Sequence, residues 1–215
     1  MTALLAGGTG LIGREVARHW TGPGPLHLLL RKRRVSAGLA APLLREHVVD
    51  FAALPPMPSA EMAFCCLGTT INVAGSKAAF RAVDFDAVLH FARAAQLAGV
   101  RRFAVVSALG ASAEAGSFYS RVKGEMEVEL QRLGFATLVI ARPSLLAGDR
   151  ASLKQPQRMG ERIALAVAGP LGAFIPKAWR PVQAAVVAQA LLRAVAAGAA
   201  GVQVLESAAL QDLGA

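Results

Sequence analysis

Six short runs of this chain are dominated by apolar residues and do not alternate with polar ones: residues 3–6, 26–30, 47–51, 62–67, 102–109 and 136–142. A strand that faces water on one side alternates. A continuous run is buried on both sides, as in a parallel sheet covered by helices. Between the runs lie longer stretches with helical spacing, at residues 11–20, 77–98, 118–133 and 182–197, and a late strand is expected at 202–206. Strand–helix alternation of this kind predicts an α/β fold. The expected form is a single-domain, Rossmann-like, doubly wound parallel sheet with helices on both faces. One domain over residues 1–215 suits the length, with substrate-side elements from about 143 to 182. Aromatic residues are only 6% of the chain, so the core is expected to be aliphatic.

The first strand runs directly into "AGGTGLIGREV", which sets Gly7, Gly10 and Gly13 three residues apart at the opening of a helix. Such a turn must be tight, must let the backbone approach a pyrophosphate, and must let helix and sheet pack closely. The helix N-terminus offers free N–H groups and a positive dipole to phosphates. Thr9, Leu11 and Ile12 lie along the same turn and are expected cofactor contacts. Cofactor choice is set at the end of the second strand. An NAD site places an acid there for the ribose hydroxyls. This chain has Arg31, Lys32, Arg33 and Arg34 instead. An arginine suits a 2′-phosphate through its charge and planar donor fork, so NADP(H) is favoured over NAD(H), with Arg31 as the contact. Arg33 and Arg34 read as a solvated loop. Asp50 is placed either to meet the adenine edge or to cap the next segment.

"FYSRVKGE" holds the only tyrosine of the chain, Tyr119, four residues before Lys123. On a helix the two share a face. An ammonium beside a phenol favours the phenolate, and a tyrosine tuned in this way exchanges a proton with a substrate oxygen. Ser107 closes the strand "FAVVS", at the carboxyl edge where ligands bind in such sheets. A serine hydroxyl there can hydrogen-bond a carbonyl. Ser107, Tyr119 and Lys123 are therefore the candidate catalytic residues, for hydride transfer to or from a carbonyl or alcohol.

With these residues in order, the chain resembles a short-chain dehydrogenase/reductase. More narrowly, it is similar to the small atypical members with a GxxGxxG turn, including the Tat-interacting-protein-like NADPH-binding group. The matching stretches are "GGTGLIG", "CCLGTT", "AGSKAAFRAVDFD", "VVSALGAS", "FYSRVKGEME" and "ARPSLLAGDR", with the "RPVQAAVVAQALLRA" helix extending the likeness. The resemblance implies that Gly7, Gly10 and Gly13 bind the pyrophosphate and that Leu67 and Gly68 line the cofactor channel. It implies that Ser107 orients the substrate carbonyl, that Tyr119 donates the proton, and that Lys123 binds ribose hydroxyls and tunes Tyr119. Pro143 and Ser144 would lie beside the nicotinamide. Many relatives carry a Val–Asn pair before the fifth strand, where this chain has Val83 and Asp84. An aspartate lacks the amide donor, which puts a proton relay through that position in question.

The remaining features bound the partners. Cys65 and Cys66 are neighbours, with no third cysteine and no histidine cluster nearby, so they read as buried thiols and not as a metal site. Unpaired thiols and the lack of a basic leader lead to an expected cytoplasmic location. No uninterrupted apolar run is long enough to span a membrane. The net charge of +9 attracts anions, but no groove-reading motif accompanies it, so nucleic acid is not the expected partner. His90 reads as a structural histidine. "PLGAFIPKAWRPV" is expected to wall a partly apolar pocket or simply to pack. The substrate stays unnamed, and a homo-oligomer is possible but not derivable. The competing reading is an NADP(H)-binding sensor without turnover.

Overall fold

A computed structural model describes residues 1–32, 43–147 and 176–215. Seven strands form one sheet in which every pairing is parallel. They are β1 (Ala3–Ala6), β2 (Leu26–Leu30), β3 (Leu44–Val48), β4 (Met62–Cys65), β5 (Arg102–Val106), β6 (Thr137–Arg142) and, last in the chain, a strand at Gly201–Glu206. Two short strands, β7 (Leu146–Ala147) and β8 (Val182–Gln183), pair with each other apart from the sheet, so the last strand is β9. The order is β3-β2-β1-β4-β5-β6-β9. It reverses direction between β1 and β4, which is the switch point where such sheets open a ligand crevice.

One face of the sheet is covered by α1 (Leu11–Arg18), α6 (Ala184–Ala197) and α7 (Ser207–Gly214), through Ile12, Val16, Val187, Leu191 and Leu210. The other face packs on a long helical stretch and on α5 (Phe118–Arg132), through Val88, Phe91, Met126 and Leu130. The predicted helix over 77–98 is there, but it is not uniform. It consists of α3 (Lys77–Arg81), a π turn (Ala82–Asp86) and α4 (Ala87–Leu97). A further short helix, α2 (Ile71–Ala74), precedes it, and Thr70 caps it by accepting from the Val73 N–H at 3.2 Å.

Several expected boundaries move. The third strand was expected at 47–51 and lies at Leu44–Val48. Val49 and Phe51 are apolar because the chain leaving the strand tucks them into the core, not because they belong to the ladder. The fourth and fifth strands end earlier than expected, at Cys65 and Val106, so Leu67 and Ser107 sit just past the ladder on its carboxyl edge. The helix expected from 182 begins at Ala184, because Val182 and Gln183 pair with β7. No helix among the described residues is long and apolar enough to cross a membrane.

Candidate active site

Gly7 leaves β1 with φ +81, in the left-handed region that favours glycine. A Cβ there would lie 2.4 Å from the carbonyl carbon of Cys66, so the turn sits directly against the end of β4. A Cβ on Gly13 would lie 2.2 Å from the Gly7 oxygen, where α1 crosses the turn. Gly10 is different. Its nearest contact to an added Cβ is 3.4 Å, which the fold itself accommodates. Gly10 caps α1 without any side-chain hydrogen bond, so the first N–H groups of the helix are left to a ligand. Thr9, Gly10 and Leu11 are half-buried along this turn, and Ile12 is buried beneath it. A tight, cap-free cradle at the switch point fits a dinucleotide pyrophosphate.

The other expected cofactor residues spread along the same edge. Arg31 is exposed at the end of β2, beside exposed Lys32, while Arg33 and Arg34 lie outside the described residues. Asp50 is exposed in a turn, and its Oδ1 accepts from the Ala52 N–H at 2.9 Å, which is the capping alternative. Leu67 is half-buried. Gly68 passes over the Asp84–Lys123 ion pair, since its Cβ would lie 3.4 Å from Asp84 Oδ1 and 3.8 Å from Lys123 Nζ. Pro143 is buried and its carbonyl accepts from the Leu109 N–H at 3.0 Å. Ser144 donates to the Arg180 carbonyl at 2.5 Å and accepts from the Ser207 hydroxyl at 3.0 Å, so it ties the end of β6 to the segment at 176–183. Of "PLGAFIPKAWRPV", the part up to residue 175 lies outside the described residues, and Trp179 is exposed.

Helix α5 delivers Tyr119 and Lys123 on one face. Ser117 caps it, accepting from the Ser120 N–H at 3.1 Å. The ring of Tyr119 packs on buried Phe80, 5.3 Å between centroids. Lys123 is buried, and its ammonium donates to Asp84 Oδ1 at 2.8 Å and to the Val106 carbonyl at 3.3 Å. Asp84 is buried too and accepts from the Thr69 N–H at 2.8 Å. The π turn carries Asp84, and extra-residue turns of this kind recur at functional sites. Burial pulls the Lys123 pKa down. The Asp84 carboxylate, followed by the neighbouring Tyr119 and the hydrogen bond to Asp84, outweighs it and holds the ammonium above the ordinary lysine value. The charge beside Tyr119 is therefore a paired one.

Two groups here were not found from the sequence, one buried and one partly exposed. Glu127 is buried, four residues beyond Lys123 and eight beyond Tyr119 on the same stripe of α5. It accepts the hydroxyl proton of Ser107, which is itself buried. Arg142, at the end of β6, holds both Glu127 oxygens, from Nε at 3.1 Å and Nη2 at 2.5 Å, and reaches Glu206 on β9 at 2.9 Å. The signal was available: a third polar residue at helical spacing on the Tyr119–Lys123 face. The structure thus brings Tyr119, Lys123 and Ser107 to one edge through α5, with Val106 and Ser107 as the points of attachment. His90 is structural as expected, its Nδ1 bonded to the Phe51 carbonyl at 3.0 Å. Cys65 is buried in β4, which pushes its thiol up to about 12.

The chain is 35% identical to protein HTATIP2 of Rattus norvegicus over 179 residues, which cover 80% of this chain and 70% of that protein. It is 33% identical to the protein FMP52, mitochondrial, of Coccidioides immitis over 194 residues, 83% of this chain and 77% of that protein. The chain belongs to the HTATIP2/FMP52 group of atypical short-chain dehydrogenase/reductases. No family model matches it. Among solved structures, MoeE5 in complex with UDP-glucose and NAD shares its fold with a TM-score of 0.72 at 17% identity, over 95% of this chain and 75% of that one. Membership in this group corrects one expectation. Several fungal relatives are named mitochondrial proteins, which points away from the cytoplasm. Unpaired cysteines argue against an oxidising compartment and do not choose among the others.

Proposed function

We propose that this family member is an NADPH-dependent oxidoreductase that moves a hydride to or from a carbonyl or alcohol carbon, with Tyr119 as the acid/base. The observation that carries the proposal is the α5 stripe. It sets the phenol of Tyr119 beside the Lys123 ammonium, which is bonded to the end of β5, on the edge where the glycine turn opens. Gly7, Thr9, Gly10, Leu11, Ile12 and Gly13 would hold the pyrophosphate, and Arg31 the 2′-phosphate. Leu67, Gly68, Pro143 and Ser144 would flank the rest. A bound nicotinamide cofactor supplies or takes the hydride. Tyr119 holds the proton that the substrate oxygen gains or loses. Of the three ammonium protons of Lys123, Asp84 and Val106 take two, which leaves one for ribose hydroxyls. Ser144, tied to the Arg180 carbonyl, would join the end of β6 to the described segment at 176–183 on the substrate side.

A second reading, an NADP(H)-binding regulatory protein, draws on the same hydrogen bonds. Lys123 already has a carboxylate partner and Ser107 already has an acceptor, as a site without turnover would allow. Tyr119→Phe separates the two. We expect NADPH affinity, followed by nicotinamide fluorescence, to stay within about threefold, because the phenol oxygen holds no phosphate. Turnover of a panel of aldehydes, ketones and quinones should fall by about 100-fold or more, on the scale of a lost general acid. Turnover that survives the substitution removes Tyr119 as the acid. A wild type that binds NADPH and turns over none of the panel favours the regulatory reading.

A further inference from the structure

Asp84 faces two donors. Its Oδ1 accepts from the Lys123 ammonium at 2.8 Å and its Oδ2 from the Thr69 N–H at 2.8 Å. Both charged side chains are buried. A carboxylate, which only accepts, satisfies the two donors at once. An asparagine has a single oxygen. Turned to Thr69, it would set its NH2 group against the ammonium. An uncharged amine, which has a lone pair, would accept from that NH2 group instead. The acid at position 84 and the charge at position 123 therefore require each other. The other titratable groups that reach Lys123 are the phenol of Tyr119, on its own helix, and the thiol of Cys65, on β4. Neither is a carboxylate, and burial pushes the Cys65 thiol up to about 12.

We infer that Asp84 is a positioning residue for proton transfer: it keeps Lys123 an ammonium, fixed at the end of β5, so that Tyr119 exchanges its proton beside a permanent positive charge. What that charge does rests on the oxidoreductase reading above; that Asp84 holds it does not. Asp84 passes no proton itself, since both of its oxygens are acceptors. Without Asp84, the ammonium keeps the Val106 carbonyl at 3.3 Å and loses its counter-charge. Burial then favours the neutral amine.

The test compares the wild-type chain with Asp84→Asn and with Asp84→Asn combined with Lys123→Met. Each is followed by urea denaturation and by turnover of the carbonyl panel with NADPH, from about pH 7 to about pH 10. In Asp84→Asn, Lys123 should give up its proton on folding, while the unfolded chain keeps it up to about pH 10.4. Stability then rises with pH toward that value, because the unfolded state binds the extra proton, and this is opposite in sign to the Lys123 contribution in wild type. The urea midpoint of Asp84→Asn should therefore climb across the range relative to that of the double variant, in which position 123 has no proton to lose. Turnover by Asp84→Asn at about pH 9 should lie about tenfold or more below wild type, a part of what a tuned general acid supplies. Should Asp84→Asn fail to fold, Asp84→Ala removes the carboxylate without setting an amide donor against Lys123, and its midpoint should climb in the same way against its own Lys123→Met partner. Equal pH dependence in the single and double variants shows that Lys123 keeps its charge unaided and overturns the inference. So does wild-type turnover at that pH in a variant whose midpoint climbs, since Tyr119 then does not use the charge. A wild type that turns over none of the panel overturns the oxidoreductase reading and the role in proton transfer with it, and the urea midpoints still decide whether Asp84 holds the charge.

Discussion

Gly10 and Gly13 differ in what an added methyl would touch, and that difference separates folding from binding. On Gly13 it would meet a backbone oxygen at 2.2 Å, and backbone cannot step aside. Gly13→Ala should cost about 1–3 kcal/mol of stability. On Gly10 the nearest contact is 3.4 Å, and φ is −81, so alanine fits. Gly10→Ala should cost on the order of 1 kcal/mol or less as a weaker cap, yet lower NADPH affinity tenfold or more by filling the space a pyrophosphate needs. Urea melts and a fluorescence titration of both variants check this. Full NADPH affinity in Gly10→Ala would show that the turn is structural. The Lys123–Asp84 pair makes a second prediction at this scale. Because the folded-state pKa of Lys123 is raised, its contribution is complete below the unfolded value of about 10.4 and is lost as pH rises through the raised one. The stability difference between wild type and Lys123→Met should therefore hold up to about pH 10 and shrink as the pH rises beyond it. A difference that stays constant across that window contradicts the pairing.

Helix α5 is the element on which the site depends, and Gly124 sets its seat. A Cβ at Gly124 would lie 2.0 Å from the carbonyl carbon of Ser112 and 2.2 Å from Ala113 N. The helix lies against that loop with no room for a methyl group. Gly124→Ala should push α5 outward and carry Tyr119, Lys123 and Glu127 with it. We expect a stability loss of about 1–3 kcal/mol and a fall in turnover at least tenfold larger than the fall in NADPH affinity, since the glycine cradle is on another helix. Matched losses in the two would show that α5 does not set the catalytic geometry independently of the cradle. This helix was fully legible in the sequence, because its apolar face, its cap and its polar stripe are local. The π turn was not. Helical spacing over 77–98 reads the same with or without one extra residue, and only the backbone bond from the Ala87 N–H to the Ala82 carbonyl shows it. The third strand was misplaced by three residues because an edge strand is fixed by its register to β2, Leu26 against Leu44, and not by its own apolar content. Glu127 stands at readable helical spacing on that stripe, but its partners Ser107 and Arg142 come from other elements, and no local pattern announces them.

The strand order places the glycine turn, the end of β2 and the α5 stripe along one edge of the whole molecule, so cofactor binding should be felt as global stability. The alternation of strands and helices made this architecture readable, since parallel neighbours joined by helices have few topologies open to them. A ligand held only by the folded chain adds about 2.7 kcal/mol at 100 times its Kd. For a chain of this size that is a rise in Tm of about 5–10 °C. NADPH should give this rise, and NADH at the same concentration a smaller one. The proposed function rests this difference on Arg31. No acid stands between Leu30 and Arg45 to receive ribose hydroxyls, and Arg31 is exposed at the strand end. Arg31→Glu replaces a 2′-phosphate donor with a carboxylate that repels the phosphate and accepts from the hydroxyls. The NADPH shift should then drop to the NADH level or below, while the NADH shift holds or grows. If the variant keeps the wild-type preference, the choice is made by Lys32, Arg33 or Arg34, and the basic run acts as a field and not as one contact. A wild type that responds equally to both cofactors would locate the selectivity outside this strand end altogether.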